Sequence, residues 1–480
     1  MRQIETILQA VLFPSSGCSF PSLSAGDGIN SAGFFRSSSF DISFAGGGIN
    51  SAGFFRSSSL DVSFARSVDR PRFFLYQITG VLSMSKVIVG LSGGVDSAVT
   101  AYLLKKAHFD VIGVTLRTWK AGGSAALKGG SDPAFEDPKR IAEASAALED
   151  EPDPALADAK RIAEASATLE DESDPALADA KRIAEAIGIP FQTVDVSGDF
   201  VTHVVNPFIK DYLNGRTPNP CVECNHYVKW SHLLRTADAL GAPYVATGHY
   251  AELVHLPNGR VTVKAADTAK DQSYMLYRLS QEQLSRTLFP LRGCSKDEIR
   301  AIAKEAGLPV AEKPDSQEIC FIPDGHYAEF IEQHTDTSAL REGNFVDEDG
   351  CILGKHKGIT HYTVGQRRGL GLAMGYHVFV KEIRPDTGDI VLAREDGMLF
   401  DEILCSDLNF LSIPGIADGE RVPARVRIRY HHRGEDAILT KAGEDQVRVQ
   451  FVKPVRAPAP GQSAVFYDAD ACVIGGGKIV

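Results

Sequence analysis

No run of about 18 apolar residues occurs in the chain, the least that spans a bilayer as a helix, so no membrane-crossing segment is expected. Its eight cysteines are scattered through 480 residues, unlike the dense framework of a small secreted domain, and a reducing compartment is expected. A four-ligand zinc site is also missing, because Cys221-Val222-Glu223-Cys224 has no second C-x-x-C pair to complete it. The glycine-rich stretch Gly90–Ser97 holds neither the lysine of G-x-x-x-x-G-K-[ST] nor the spacing of G-x-G-x-x-G. That excludes a Walker A loop and a dinucleotide fingerprint. Basic excess is absent too: the net charge of -12 argues at first against a nucleic-acid partner. Its distribution removes the objection. The stretch Asp132–Glu185 alone carries 16 acidic and 6 basic side chains, so the remainder is close to neutral and can hold local basic surfaces.

What is present begins with Val87-Ile88-Val89-Gly90-Leu91-Ser92-Gly93-Gly94-Val95-Asp96-Ser97, an apolar run that ends in a glycine turn and opens onto a helical pattern. It reads as strand, phosphate loop and helix. Gly93 and Gly94 let the backbone approach an anion, the N–H groups of the first helical turn point at it, and Ser92 and Ser97 add hydroxyls.

The length implies two or three domains. Residues 1–83 are rich in Ser, Gly, Phe and Arg, and Gly28–Arg36 recurs as Gly48–Arg56. A transit peptide, a disordered tail and an extension upstream of a start at Met84 compete; the last is favoured because Met84 directly precedes the first strand. From 84 to 330, apolar strands alternate with amphipathic helices: strands at Lys86–Leu91, Val111–Leu116, Phe191–Val196 and Tyr244–Thr247, helices near Ser97–Lys106, Leu177–Ile187, Phe200–Asn214 and Tyr227–Leu240. The fold class is α/β, a doubly wound parallel sheet with its ligand at the carboxyl ends of the strands. A second repeat interrupts it, with Asp132, Asp153 and Asp174 each opening a copy that closes in Lys-Arg-Ile-Ala-Glu-Ala. Only the third copy runs on into a strand, so 131–173 reads as an insertion in a surface loop. Short period-2 runs then give two small β domains, 331–398 and a C-terminal β-barrel at 399–480.

Asn219-Pro220-Cys221-Val222-Glu223-Cys224-Asn225 precedes a helix expected to start near His226, which would put Cys224 at a helix N-terminus where the dipole stabilises a thiolate. Zinc, redox and nucleophile readings all remain open for a C-x-x-C taken alone. Cys320 closes Lys313-Pro314-Asp315-Ser316-Gln317-Glu318-Ile319-Cys320. In the last domain Arg425, Arg427 and Arg429 alternate with Val426, Ile428 and Tyr430, so a strand Arg425–Tyr430 would have one basic and one apolar face. Such a face can contact phosphates.

The loop looks like the SGGxDS pyrophosphate loop of enzymes that cleave ATP between the α and β phosphates. A pyrophosphate loop, a C-x-x-C before a helix and a Ser-Gln-x-x-Cys, in this order, resemble the tRNA-specific 2-thiouridylase (MnmA) family. So do Ala246–Tyr250, Lys270–Tyr274 and His361–Gly369, and the likeness runs from Ser85 to Val480. The resemblance implies an adenine nucleotide α-hydrolase-like domain with ATP on Gly90, Leu91, Ser92, Gly93, Gly94, Val95, Asp96 and Ser97, bordered by Leu116 and Gly248. Asp96 would help to position Mg²⁺ and the phosphates. It implies that the C2 oxygen of the wobble uridine (position 34) of tRNA is adenylated. Sulfur would come from a persulfide on Cys320, loaded by a cysteine desulfurase or a sulfur relay carrier. Cys224 would attack that persulfide, releasing sulfide or forming a disulfide with Cys320. Asn219, Pro220 and Cys221 would touch the target base, and Lys270, Asp271, Gln272, Arg429 and Tyr430 the tRNA. The base has to leave its stack, which suits an anticodon loop. A cytoplasmic monomer is expected, or a mitochondrial or plastid enzyme if residues 1–83 are a transit peptide.

One departure stands out: many members have Asp where this chain has Cys221. Three thiolates, Cys221, Cys224 and Cys320, are therefore an alternative ligand set for an iron–sulfur cluster. Two other functions compete with thiolation, a nitrogen-transferring ATP pyrophosphatase of the amidotransferase type and a non-catalytic RNA-binding protein.

Overall fold

The computed structural model describes residues 85–119, 174–266, 270–314, 319–336 and 342–480, and the backbone of a hairpin of β1 (Phe34–Ser37) and β2 (Phe40–Ser43). The chain divides into the units Met1–Phe73 and Phe74–Val480. The rest of the amino-terminal repeat, the first two copies of the acidic repeat, and Ser316 and Gln317 lie outside the described residues. Among the described residues, no helix is long and apolar enough to cross a membrane.

The parallel sheet is built from β3 (Lys86–Gly90), β4 (Asp110–Arg117), β5 (Phe191–Asp195), β6 (Tyr244–Ala246) and β9 (Thr287–Leu288), in the order β5-β4-β3-β6-β9. β3 is central, and Val87, Ile88 and Val89 are completely buried. This explains why that strand reads as an unbroken apolar run, with helices covering both faces. The chain runs outward from β3 first on one side and then on the other, so the strand order reverses at its carboxyl end. A crevice opens at such a switch point. The expected strands lie within two residues of those observed. The two-residue β9 and the hairpin β7 (Glu252–His255) with β8 (Val261–Lys264) escape the sequence reading.

Helix α1 (Val95–Lys106) follows the loop, and α2 (Pro175–Ile187) is the third copy of the acidic repeat. It starts two residues before the expected Leu177. Asp174 caps it through Ala176 N and Leu177 N, Pro175 occupies the first turn, and Gly188 (φ 73°) ends it. The expected helix at Phe200–Asn214 is Ser197–Phe200, a π-turn at Val201–Val205 and Asn206–Leu213. Pro207 has no N–H to give the preceding turn, and the wide turn stands directly before it.

Beyond it, β10 (Gly343–Val346), β11 (Ile352–His356), β12 (Phe379–Arg384) and β13 (Asp389–Ala393) form a mixed sheet ordered β11-β10-β13-β12, in which β10 and β13 are parallel. The last domain is a closed six-stranded barrel of β14 (Leu399–Phe410), β15 (Val422–Arg427), β16 (Glu435–Gly443), β17 (Gln446–Arg456), β18 (Ser463–Tyr467) and β19 (Val473–Ile479). The expected strand Arg425–Tyr430 is shifted: it ends at Arg427, and Arg429 and Tyr430 lie in the turn beyond.

Candidate active site

Gly90 and Leu91 lead from β3 into a loop whose shape depends on two glycines. Gly93 has φ 70°, and a Cβ there would meet the Ala176 carbonyl at 2.5 Å. At the end of β6, a Cβ on Gly248 would stand 2.9–3.0 Å from the Asp96 and Ser97 backbone and the Asp96 side chain. Both positions therefore need glycine for α2 and the β6 turn to close on the loop. Gly94 caps α1 with its backbone alone, so no side chain competes for the N–H groups of Val95, Asp96 and Ser97. Ser97 was expected to offer its hydroxyl to a ligand. Instead it is buried, donates to the Gly94 carbonyl at 3.0 Å and accepts from Ser92 N at 3.2 Å, closing the loop on itself. Ser92 is exposed at the rim, and Leu116, half-buried, stands at the carboxyl end of β4.

Asp96 is held from two distant segments. Lys296 Nζ lies 2.8 and 2.9 Å from its two carboxylate oxygens, and the Tyr250 hydroxyl donates to Oδ1 at 2.7 Å. Oδ1 thus carries two donors and Oδ2 only one, so the partly exposed carboxylate keeps an acceptor position on Oδ2. A second lysine, Lys313, donates to the Gly93 carbonyl at 3.0 Å and to Asp179 of α2 at 2.5 Å. Neither lysine is legible in the sequence as a loop residue.

The cysteine segment corrects the sequence reading in two ways. Its helix starts at Pro220, not near His226, and continues as Pro220–Glu223, a π-turn Cys224–Lys229 and Trp230–Ala239. Pro220 sits in the first turn, where its missing N–H costs nothing. Cys221, exposed, is therefore the cysteine nearest the N-terminus, while Cys224 lies deeper and is 6% exposed. Burial pushes the Cys224 thiol up to about 12, against the thiolate expected from the helix dipole; Lys229 pulls it back, and Cys320 and Cys221 push it further. Cys320 is exposed, and its thiol is raised by the surrounding protein and lowered by the same lysine. The three cysteines thus share one electrostatic neighbourhood around Lys229. Phe321 anchors the Cys320 segment, its ring 5.5 Å from Phe200 and 5.4 Å from Phe208 and from Phe330, in the apolar cluster that also contains Cys224. All three cysteines are free. Among the described residues, no three His, Cys, Asp or Glu side chains are placed to hold a metal ion, so the cluster alternative gains no support from the geometry.

The residues expected to touch the base and the tRNA come from three segments. Asn219 Nδ2 reaches Met275 Sδ at 3.7 Å, just beyond Lys270–Gln272, and the Tyr430 ring lies 6.1 Å from Tyr274 and feels Cys221. Asp271, however, is buried. It accepts from Arg427 at 2.6 Å and from the Ser273 backbone and hydroxyl, and Gln272 exchanges backbone and side-chain hydrogen bonds with Tyr250. Arg427 lies over the Tyr467 ring at 4.5 Å and so fastens the barrel, whereas Arg425 and Arg429 are exposed, Arg425 donating to the Gly434 carbonyl. Arg278 likewise bridges Glu223, between the two cysteines, to Asp407 of the barrel, with Lys478 on the same carboxylates.

A glycine-turn loop at a sheet switch point, in a chain that also gathers three thiols around Lys229, belongs to an ATP-using enzyme of the HUP-domain class. The family description "tRNA methyl transferase HUP domain" matches residues 85–148 and 159–324, its PRC-barrel companion 328–394, and "Aminomethyltransferase beta-barrel domain" 400–479. The tRNA-specific 2-thiouridylase MnmA of Lachnoclostridium phytofermentans is 44% identical over 407 residues, covering 83% of this chain and all of that protein. The Clostridium acetobutylicum enzyme of the same name is 41% identical over 400 residues, 82% of this chain and 98% of the relative. A solved NH3-dependent NAD synthetase from Campylobacter jejuni aligns at 17% identity and a TM-score of 0.27, over 56% of this chain and 86% of that one. The chain belongs to the MnmA family of tRNA-specific 2-thiouridylases.

Proposed function

We propose that this chain is an ATP-dependent sulfurtransferase that replaces the C2 oxygen of the wobble uridine of tRNA with sulfur. The observation that carries the mechanism is the grouping of Cys221, Cys224 and Cys320 around Lys229, in the same domain as a loop that presents backbone N–H groups. The uridine O2 attacks the α phosphorus of ATP, the bond to the β phosphate breaks, and pyrophosphate leaves with the electron pair while the N3 proton passes to solvent. The oxygen is now part of AMP and a good leaving group. A persulfide on Cys320, loaded by a sulfur-donor protein, attacks C2 and expels AMP. Cys224 then attacks Cys320 Sγ, so the S–S bond breaks, sulfur remains on C2, and a Cys224–Cys320 disulfide forms that a dithiol reductant reopens. Cys224 first gives up its proton to solvent, and the Lys229 ammonium stabilises the thiolate that remains. Asn219, Pro220 and Cys221 bound the base pocket, and Lys270, Gln272, Arg429 and Tyr430 face the tRNA. An amidotransferase-type reaction leaves the thiols without a role.

Mass spectrometry of tRNA nucleosides from a deletion strain, complemented with variants, tests the reading. Wild type restores 2-thiouridine; Asp96→Ala does not, and releases no pyrophosphate with tRNA. Cys320→Ser accepts no sulfur, Cys224→Ser accepts it without turnover, and Cys221→Ser retains appreciable activity. Unaltered 2-thiouridine in the deletion strain would defeat the assignment.

A further inference from the structure

The phosphate loop carries no cation of its own, yet ATP brings several negative charges and cleavage leaves two phosphates to be expelled together. Two ammonium groups reach the loop from segments 200 and 220 residues further along the chain. Lys296 is committed to Asp96, touching both carboxylate oxygens. Lys313 is placed differently. Its Nζ rests on the Gly93 carbonyl, at the left-handed turn of the loop, and its side chain is 38% exposed. Two of its three N–H donors are directed at Gly93 and Asp179, which leaves one to turn toward the nucleotide side. Asp179 is itself held below the ordinary carboxylate range, chiefly by this lysine, so the pair is a charged one. An ammonium stationed on a loop carbonyl by a carboxylate from a neighbouring helix is a preorganised anion ligand, and it supplies what the loop sequence lacks.

We propose that Lys313 is the pyrophosphate-binding cation of this site, held at the loop by Asp179 until the β and γ phosphates of ATP arrive and then shared with them. The inference rests on the thiouridylase reading, because it assigns the lysine to the leaving group of the adenylation step. No proton moves: the ammonium stays charged, and its N–H groups stabilise the oxygens that gain the electron pair as the bond between the α phosphorus and the bridging oxygen breaks. Asp179 is a positioning residue and touches no substrate.

The test measures tRNA-dependent pyrophosphate release by the full chain and its product inhibition by inorganic pyrophosphate and, separately, by AMP. Lys313→Met should weaken inhibition by pyrophosphate at least tenfold and raise the KM for ATP, with AMP inhibition unchanged, and Lys313→Arg should recover most of the loss. Asp179→Asn does not share the loss: it releases the ammonium from its carboxylate, so pyrophosphate should bind as well as in wild type or more tightly. A purely structural clamp makes Lys313→Met and Asp179→Asn equally harmful and equally indifferent to which inhibitor is added, and that pattern overturns the inference. Should Lys313→Met fail to fold, Asp179→Asn decides by the same measure, since weakened pyrophosphate binding there refutes the role. If wild type releases no pyrophosphate with any tRNA, the thiouridylase reading itself fails, a result distinct from both.

Discussion

Lys229 stands five residues after Cys224, at the other end of a π-turn. In an α-helix residues five apart point about 140° from one another. The wider π-turn brings the fifth residue back toward the first and puts the ammonium on the cysteine face, consistent with the mutual pull between Lys229 and Cys224. Burial alone would keep Cys224 protonated at neutral pH. Removing the cation raises the thiol further and lowers its thiolate fraction at any fixed pH. Lys229→Met should therefore slow iodoacetamide alkylation of Cys224 about tenfold or more at pH 8 and move the alkylation profile to higher pH, with Lys229→Arg intermediate. A profile that does not move in Lys229→Met would remove the lysine from the chemistry.

His249 lies beside the lysine, between the rings of Trp230 and Phe289, with Nδ1 2.9 Å from the Thr247 hydroxyl. Burial lowers its pKa to about 3, and Lys229 adds to the effect. The folded imidazole stays neutral where the unfolded one, near 6.5, takes up a proton. Its contribution to stability is therefore complete above pH 6.5 and shrinks as pH falls toward 3, by up to about 2 kcal/mol at pH 5. Urea unfolding at pH 7.5 and pH 5 should show wild type losing more stability between the two than His249→Gln does. Equal losses would mean that other groups set the acid sensitivity.

The alternating arginines of the barrel separate into two jobs. Arg427 is tied to buried Asp271 and stacked on Tyr467, whereas Arg429 is exposed. Arg427→Met leaves the Asp271 carboxylate short of a partner and should cost about 2–4 kcal/mol of stability. Arg429→Ala should leave unfolding within about 0.5 kcal/mol of wild type and weaken tRNA binding severalfold, with a shallower salt dependence. Filter binding across a salt series and denaturant unfolding distinguish them; a stability loss in Arg429→Ala comparable to that of Arg427→Met would contradict the division.

The parallel sheet was legible because its strands are buried on both faces and read as apolar runs, and the loop because glycine and serine at that spacing have few other uses. Residues that act through tertiary approach were not. Lys296 lies 200 residues from Asp96 and Lys313 lies 220 from Gly93, and no local pattern marks either. The cysteine helix misled for a local reason. Asn219-Pro220 reads as loop, yet Pro at the first helical position starts the helix early and carries Cys224 into the core. Arg427 misled because alternation predicts a face and not the partner that covers it.

Asp153–Ala165 repeats Asp174–Ala186 residue for residue, while α2 alone, built from the later copy, runs into β5 through Gly188. The earlier copies are therefore expected to be dispensable. Deleting Asp132–Pro152 or Asp153–Ser173 should leave thiolation within about twofold of wild type. Identity between the copies raises a sharper question, whether the second can stand in for the third against the phosphate loop. Ile183, completely buried in α2, provides the assay. Ile183→Ala should cost about 2–4 kcal/mol both in the full chain and in the Asp153–Ser173 deletion, because only the later copy is followed directly by the Gly188 stop and the strand. A clearly smaller loss in the full chain would mean that Asp153–Ala165, whose own Ile162 is intact, takes the damaged helix's place.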